Sequence, residues 1–266
     1  MIEMTNAGLG GSSTVSATNE HGEPIDVLLV EERPLTIYLD KQEIVTVMTM
    51  GSAPELLVLG YLKNQNLIDK LSDIKLIQVD WETAAVAVVT SAEVQDVAAM
   101  TRTKIITSGC GQGTMFGSLT EKLDDVKIAK RQLKKGTIYQ ILENLSQHNI
   151  MYKKAGAVHG CALCTDDEII YFVEDVGRHN AVDTIAGHMW LNGLSGDHCV
   201  FYTTGRLTSE MVIKVAQMNV PVLLSRSGAT KMGLDMAQKV GITLISRAKG
   251  QRFQVLSGGD NISYSV

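Results

Sequence analysis

The chain reads as an α/β protein, with a small α+β unit followed by a larger layered α/β unit, and two observations carry that reading. In the second half, strand-like apolar runs at 157–163, 169–173, 200–203, 222–225 and 243–245 alternate with helical stretches at 181–191, 209–218 and 231–240. That order builds a sheet with helices packed against it. In the first half, short β-rich runs cluster instead, and a single helical stretch interrupts them.

Taken in order, residues 1–22 are rich in Gly, Ser, Thr and Asn without an apolar period, which predicts a flexible N-terminal tail. Runs at 25–30, 35–39 and 43–50 predict strands, and 54–62 predicts a helix with Ser52 as its N-cap. A further strand pair is expected at 74–80 and 84–91. The small α+β domain then spans 23–121 and ends in the loop that carries Cys110. Residues 122–150 are expected to form a helical connector, broken at Gly136, in which Ile138, Ile141, Leu142 and Leu145 share one face. The α/β domain occupies 151–266.

Composition bounds the function. The chain has 266 residues, 45% hydrophobic and 20% charged, which is ordinary for a folded globular protein. A formal net charge of -5 argues against broad nucleic-acid binding, and the Lys127, Lys130, Arg131, Lys134 and Lys135 cluster reads as a solvated helix face. No apolar run is long enough to span a bilayer. Four cysteines and no signal-type apolar segment point to a reducing compartment, hence the cytoplasm.

Cys110 lies in Thr107-Ser108-Gly109-Cys110-Gly111-Gln112-Gly113-Thr114, among glycines and small polar residues. A core cysteine sits in an apolar periodic segment; glycines instead let another backbone or a ligand come close, and reactive thiols need partial exposure. Cys110 is therefore the candidate nucleophilic or sulfur-carrying thiol. Cys161 and Cys164 form a Cys-x-x-Cys next to His159, but a strand places them on opposite faces, and no second ligand pair completes a zinc site. These two read as buried thiols, and Cys199 reads as core.

Polar residues concentrate where strands end. The run from Glu174 to Asp183 includes Asp175, Arg178, His179 and Asn180 and opens a helix, a density beyond what capping requires. Gly205, Arg206 and Ser209 follow the strand at 200–203, and Ser225, Arg226 and Ser227 follow the one at 222–225. The stretch Arg247, Ala248, Lys249, Gly250, Gln251 and Arg252 follows the last. Parallel strands delivering Gly, hydroxyl and Arg groups to one edge would seat a large anionic, nucleotide-like ligand.

Over about residues 24–256, these motifs resemble the formate dehydrogenase accessory sulfurtransferases of the FdhD type. The matching elements are Ser108-Gly109-Cys110-Gly111, the Glu174 to Asp183 run, Thr204-Gly205-Arg206 with Ser209-Glu210-Met211, and the Val220 to Ser227 run. The resemblance implies a sulfurtransferase in which a cysteine desulfurase loads Cys110 as a persulfide. The sulfur then passes to the bis-molybdopterin guanine dinucleotide molybdenum cofactor, bound as substrate, before that cofactor enters the formate dehydrogenase catalytic subunit. It also implies a larger, three-layer domain similar to the cytidine deaminase fold, a homodimer, no resident metal, and a cofactor site along the strand ends and Arg247 to Arg252. Two departures stand out. A second cysteine frequent in the family is Gly113 here, and positions that are aromatic and Gly in the family's terminal pattern are Arg247 and Ser246.

Two other functions fit parts of the chain. A zinc deaminase needs His-x-Glu and Pro-Cys-x-x-Cys; the chain has His159-Gly160-Cys161 with no proline before Cys161, so the general base is missing. A chaperone that holds the cofactor without carrying sulfur would keep the Gly and Arg turns and make Cys110 dispensable.

Overall fold

The computed structural model describes residues 2–91, 105–106, 113–114 and 126–265. Its first sheet has strand order β1-β6-β7-β4-β5. The strands are β1 Glu3–Met4, β4 Arg33–Leu39, β5 Gln42–Thr49, β6 Ile74–Asp80 and β7 Ala85–Thr90, while β2 Ser12–Thr18 and β3 Pro24–Val30 form a separate two-stranded ribbon. Helix α1, Pro54–Asn64, buries Leu57, Val58 and Leu62 against Leu35, Ile37, Ile77 and Val88 of the sheet. Ala53, not Ser52, is its N-cap, and no side chain caps it.

Residues 2–22 differ from the flexible tail that composition predicts. Met4 pairs in parallel with Ile77, and Glu55 Oε1 accepts hydrogen bonds from Thr5 Oγ1 (2.8 Å) and Ala7 N (2.7 Å). Trp81 Nε1 donates to Ala7 O, and β2 pairs with β3 along its whole length. The segment is held by backbone pairing and one buried carboxylate, and neither leaves an apolar period in the sequence.

The second sheet contains β11 His159–Cys164, β12 Ile169–Asp175, β13 Val200–Thr203, β14 Val222–Ser225, β15 Thr243–Lys249 and β16 Arg252–Ser257. Their order is β12-β11-β13-β14-β15-β16, with β13, β14 and β15 parallel and the outer pairs antiparallel. One face carries Cys161, Leu163, Phe201, Leu223 and Leu244 against α4 Arg178–Asn192, α5 Ser209–Gln217 and α6 Lys231–Val240. The other carries Ala162, Cys164, Tyr202, Leu224 and Ile245 against α2, Lys135–His148. Three layers result. The short α3, Ile150–Lys154, follows α2, and β8 Ile105–Ile106, β9 Gly113–Thr114, β10 Leu133–Lys134 and β17 Ile262–Ser263 complete the strands. The expected helical connector is shorter than 122–150, because residues 126–132 lack regular structure and Gly136 lies inside the first turn of α2 without breaking it.

Helices α1 and α4 cross in backbone contact. A Cβ on Gly187 would stand 1.9 Å from Leu56 O, and one on Gly60 would stand 1.7 Å from Asp183 O. Two buried polar links flank this crossing: Asn64 Nδ2 donates to Asp183 Oδ1 (2.6 Å), and Lys214 Nζ pairs with Asp183 Oδ2 (2.7 Å). Trp190 and Leu191 of α4 complete the apolar cluster of the first sheet, so the two sheets share this helix.

Candidate functional site

The candidate site lies along the carboxyl edge of β13, β14 and β15, the edge at which open α/β sheets generally bind ligands. The turns there are tied to one another through the backbone. Arg226 N donates to Thr203 O (3.1 Å), Leu207 N to Gly228 O (3.0 Å) and Arg247 N to Ser227 O (2.9 Å). Ser225 Oγ donates to Gly205 O (2.6 Å) and accepts from Ser227 N (2.9 Å). This lattice presents Arg206 and Arg247 to solvent, with half-buried Arg226 between them over the Tyr152 ring, 5.3 Å from its centroid. Arg247 has a φ of 50°, at the irregularity between Ser246 and Lys249. A non-glycine residue held there marks a place where surrounding structure overrides backbone preference.

Beyond Arg247 the rim opens into a cleft of about 700 Å³, lined by Lys135, Tyr139, Arg247, Gln251, Arg252, Phe253, Gln254, Val255 and Tyr264. Among the described residues, three cations line it and no carboxylate does. The Tyr139 and Phe253 rings stand 5.9 Å apart, and α2 opens at Lys135 without a side-chain cap, so its amide end adds positive potential. Phosphates and a flat heterocycle suit such a lining.

The strand-end residues picked out in the sequence divide into two groups. Arg206, Arg226, Ser227, Arg247, Lys249, Gly250, Gln251 and Arg252 are accessible along the rim, and Gly205 shapes its first turn. The others are interior. Ala248 and Ser225 are fully buried, Ser209 begins α5 behind the N-cap Thr208, and Asn180 donates to Met48 O (2.6 Å) and Asp175 Oδ1 (2.8 Å). Asp175 also accepts from Thr49 Oγ1, Met50 N and Gly177 N, and burial raises its carboxyl even against these donors. Asp175 and Asn180 thus join the two sheets instead of facing a ligand. N-capping of α4 falls to Gly177.

Arg178 and His179 open α4 just under the rim, both buried. His179 Nε2 lies 3.2 Å from Glu210 Oε2. Burial, then the cations Lys214 and Arg178, holds this imidazole well below the ordinary histidine value. Neighbouring His159 is lowered by burial, Arg178 and Arg206.

Sequence reasoning missed Tyr139, Phe253, Gln254 and Tyr264, and it placed Lys135 on a solvated helix face when the side chain lines the cleft. The signal available was the basic pair Lys134-Lys135 immediately before a helical period. Other members of that basic cluster serve the scaffold: Arg131 pairs with Asp166, and Lys127 Nζ donates to Lys239 O.

Cys110 lies outside the described residues, between β8 and β9 in sequence, and its loop neighbour Gly113 pairs with Ile106. The remaining cysteines are buried and free. Cys161 and Cys164 occupy opposite faces of β11, and burial pushes both thiols up to about 12. Burial also raises Cys199. Among the described residues, no group of three or more His, Cys, Asp or Glu side chains is placed to hold a metal ion, and no helix is long and apolar enough to cross a membrane.

Fold and rim together define a class, three-layer α/β proteins joined to a smaller sheet and edged by arginine at the strand ends. The chain belongs to the FdhD/NarQ family, whose profile matches residues 30–263. It is 33% identical over 245 residues to the sulfur carrier protein FdhD of Listeria monocytogenes serotype 4b, covering 91% of this chain and 94% of that one. Identity to the sulfur carrier protein FdhD of Bacillus subtilis is 30% over 248 residues, covering 91% and 94%. The crystal structure of a putative formate dehydrogenase accessory protein from Desulfotalea psychrophila superposes with a TM-score of 0.74 at 27% identity, covering 95% of this chain and 98% of that one.

Proposed function

We propose that this protein is a cytoplasmic sulfur carrier required for formate dehydrogenase, a sulfurtransferase acting through Cys110. A cysteine desulfurase loads Cys110 as a persulfide, and the sulfur passes to the bis-molybdopterin guanine dinucleotide molybdenum cofactor before it enters the formate dehydrogenase catalytic subunit. The protein works as a homodimer.

The observation that carries this reading is the state of the thiols. Of four cysteines, three are buried and burial raises their thiols, which disfavours the reactive thiolate at each of them. Cys110, set among glycines, is the one left for chemistry. The cleft beside Arg247 supports the substrate class, since its cations, aromatic rings and Gln amides suit the phosphates and guanines of a dinucleotide. With Gly113 as loop neighbour, a persulfide on Cys110 meets no adjacent thiol that would resolve it to a disulfide.

Activation of cofactor-free formate dehydrogenase by wild type and by Cys110→Ala tests the proposal. The variant is expected to bind cofactor and activate nothing. Full activation by Cys110→Ala would leave the protein a cofactor chaperone that carries no sulfur.

A further inference from the structure

The first turns of α4 and α5 meet on the face of the second sheet opposite α2. His179 and Glu210, the second residues of these helices, stand 3.2 Å apart, Nε2 to Oε2. Among the described residues no side chain caps either helix, so the positive ends of two dipoles converge there. Basic groups surround the meeting point. Arg178 lies along the Gly205 turn, where an added Cβ would stand 3.2 Å from Arg178 Cβ, and exposed Arg206 forms the lip. His159, two residues before Cys161 on β11, faces the helices as Cys161 does. Both arginines act on the imidazoles of His159 and His179, which places the four together.

Several buried polar atoms here have nothing to bond. His179 is 4% exposed, yet its Nδ1, the Nδ1 of His159 and the Oγ1 of the α5 N-cap Thr208 are buried without a hydrogen-bond partner among the described residues. Native structures bury few such atoms, and a ligand that bonds them removes a desolvation penalty. The neighbouring carboxylates Asp183 and Asp175 are already committed, the first to Lys214 and Asn64, the second to Thr49, Met50, Gly177 and Asn180. Glu210 is the one that faces His179.

Charge and burial select the ligand. Arg178, Arg206 and two dipole ends set against Glu210 favour a single negative charge. Burial penalises a strongly hydrated phosphate dianion more than a singly charged sulfur anion. The imidazoles are held neutral, by burial first and then by the cations, so they offer one donor and one acceptor each. The Arg247 cleft draws instead on α2, across the sheet, and on β16.

We infer that the junction of the α4 and α5 amino ends is a second ligand site, apart from the Arg247 cleft, that receives a singly charged sulfur anion, either hydrosulfide or the terminal sulfur of a persulfide. The choice of sulfur rests on the sulfur-carrier role proposed above. Sodium hydrosulfide is titrated into Cys110→Ala protein while isotope-labelled histidine rings are followed by NMR. The His159 and His179 signals should shift and saturate. Arg206→Gln in that background changes an exposed side chain and should weaken the anion by about tenfold or more, through loss of a charge-assisted hydrogen bond. Arg247→Gln should leave its affinity unchanged. In wild type loaded by a cysteine desulfurase, the same shifts without added hydrosulfide identify the persulfide as the source; unshifted rings there, beside saturable shifts with hydrosulfide, identify free sulfide. No saturable shift with either source, equal affinity in Arg206→Gln, or inorganic phosphate moving the same rings at equal or lower concentration overturns the inference. Absence of a persulfide on Cys110 after loading would count against the sulfur-carrier reading, and the hydrosulfide titration would still decide the site.

Discussion

His179 shows how one side chain near the rim is tuned. An imidazole that is neutral when folded but ordinary when unfolded binds fewer protons in the folded state, so folding stability rises with pH through that window. Its folded value is lowered, so stability should fall as pH drops below the ordinary 6.5, by up to about 1.4 kcal/mol per pH unit. Thermal melts across the mildly acidic range test this, and His179→Gln should flatten the dependence; an equally steep wild-type and variant profile would place the titration elsewhere. Arg247 makes the complementary case at the surface. Charge-assisted hydrogen bonds contribute about 1.5–3 kcal/mol each, so Arg247→Ala should weaken GDP binding roughly tenfold or more. Calorimetry reads this directly, and equal affinity would remove the cleft from the binding site.

At the scale of elements, the α1–α4 crossing is a backbone contact in which glycine is required. Gly187→Ala gains helix propensity of about 1 kcal/mol but drives a methyl into Leu56 O, and the overpacking should win by about 1–3 kcal/mol of lost stability. Gly136→Ala makes the control, because nothing lies within 4 Å of its added Cβ in the first turn of α2. That change should stabilise by about 0.5–1 kcal/mol. Denaturant titrations of both variants check the opposite signs. The crossing also explains what the sequence hid: Gly60 and Gly187 look like ordinary helix interruptions, and only the pairing of two distant helices gives them a role.

Over the whole molecule, the layered order of the second sheet was legible because its strands are short apolar runs and its helices are periodic. Cys161 and Cys164 fell on opposite faces as their spacing requires. The N-terminal strands were illegible, since Glu3–Met4 is held by a partner some seventy residues along the chain, and Ser12–Thr18, though paired with the neighbouring Pro24–Val30, carries almost no apolar pattern of its own. The rim was partly legible. Arginine and glycine after each strand marked it, yet Asp175 and Asn180 looked like ligands until their partners Thr49, Met48 and Met50 came into view from the other sheet. The aromatic rings of the cleft come from α2, β16 and Tyr264 just after β17, elements whose meeting depends on tertiary packing.

The central claim is that sulfur travels on Cys110 alone. Peptide-resolved mass spectrometry after incubation with a cysteine desulfurase and cysteine tests it most directly. One added sulfur is expected on the peptide containing Cys110, persisting until an acceptor is supplied, and none on those containing Cys161, Cys164 or Cys199. Sulfur on any of those three, or a disulfide linking one of them to Cys110, would contradict the account.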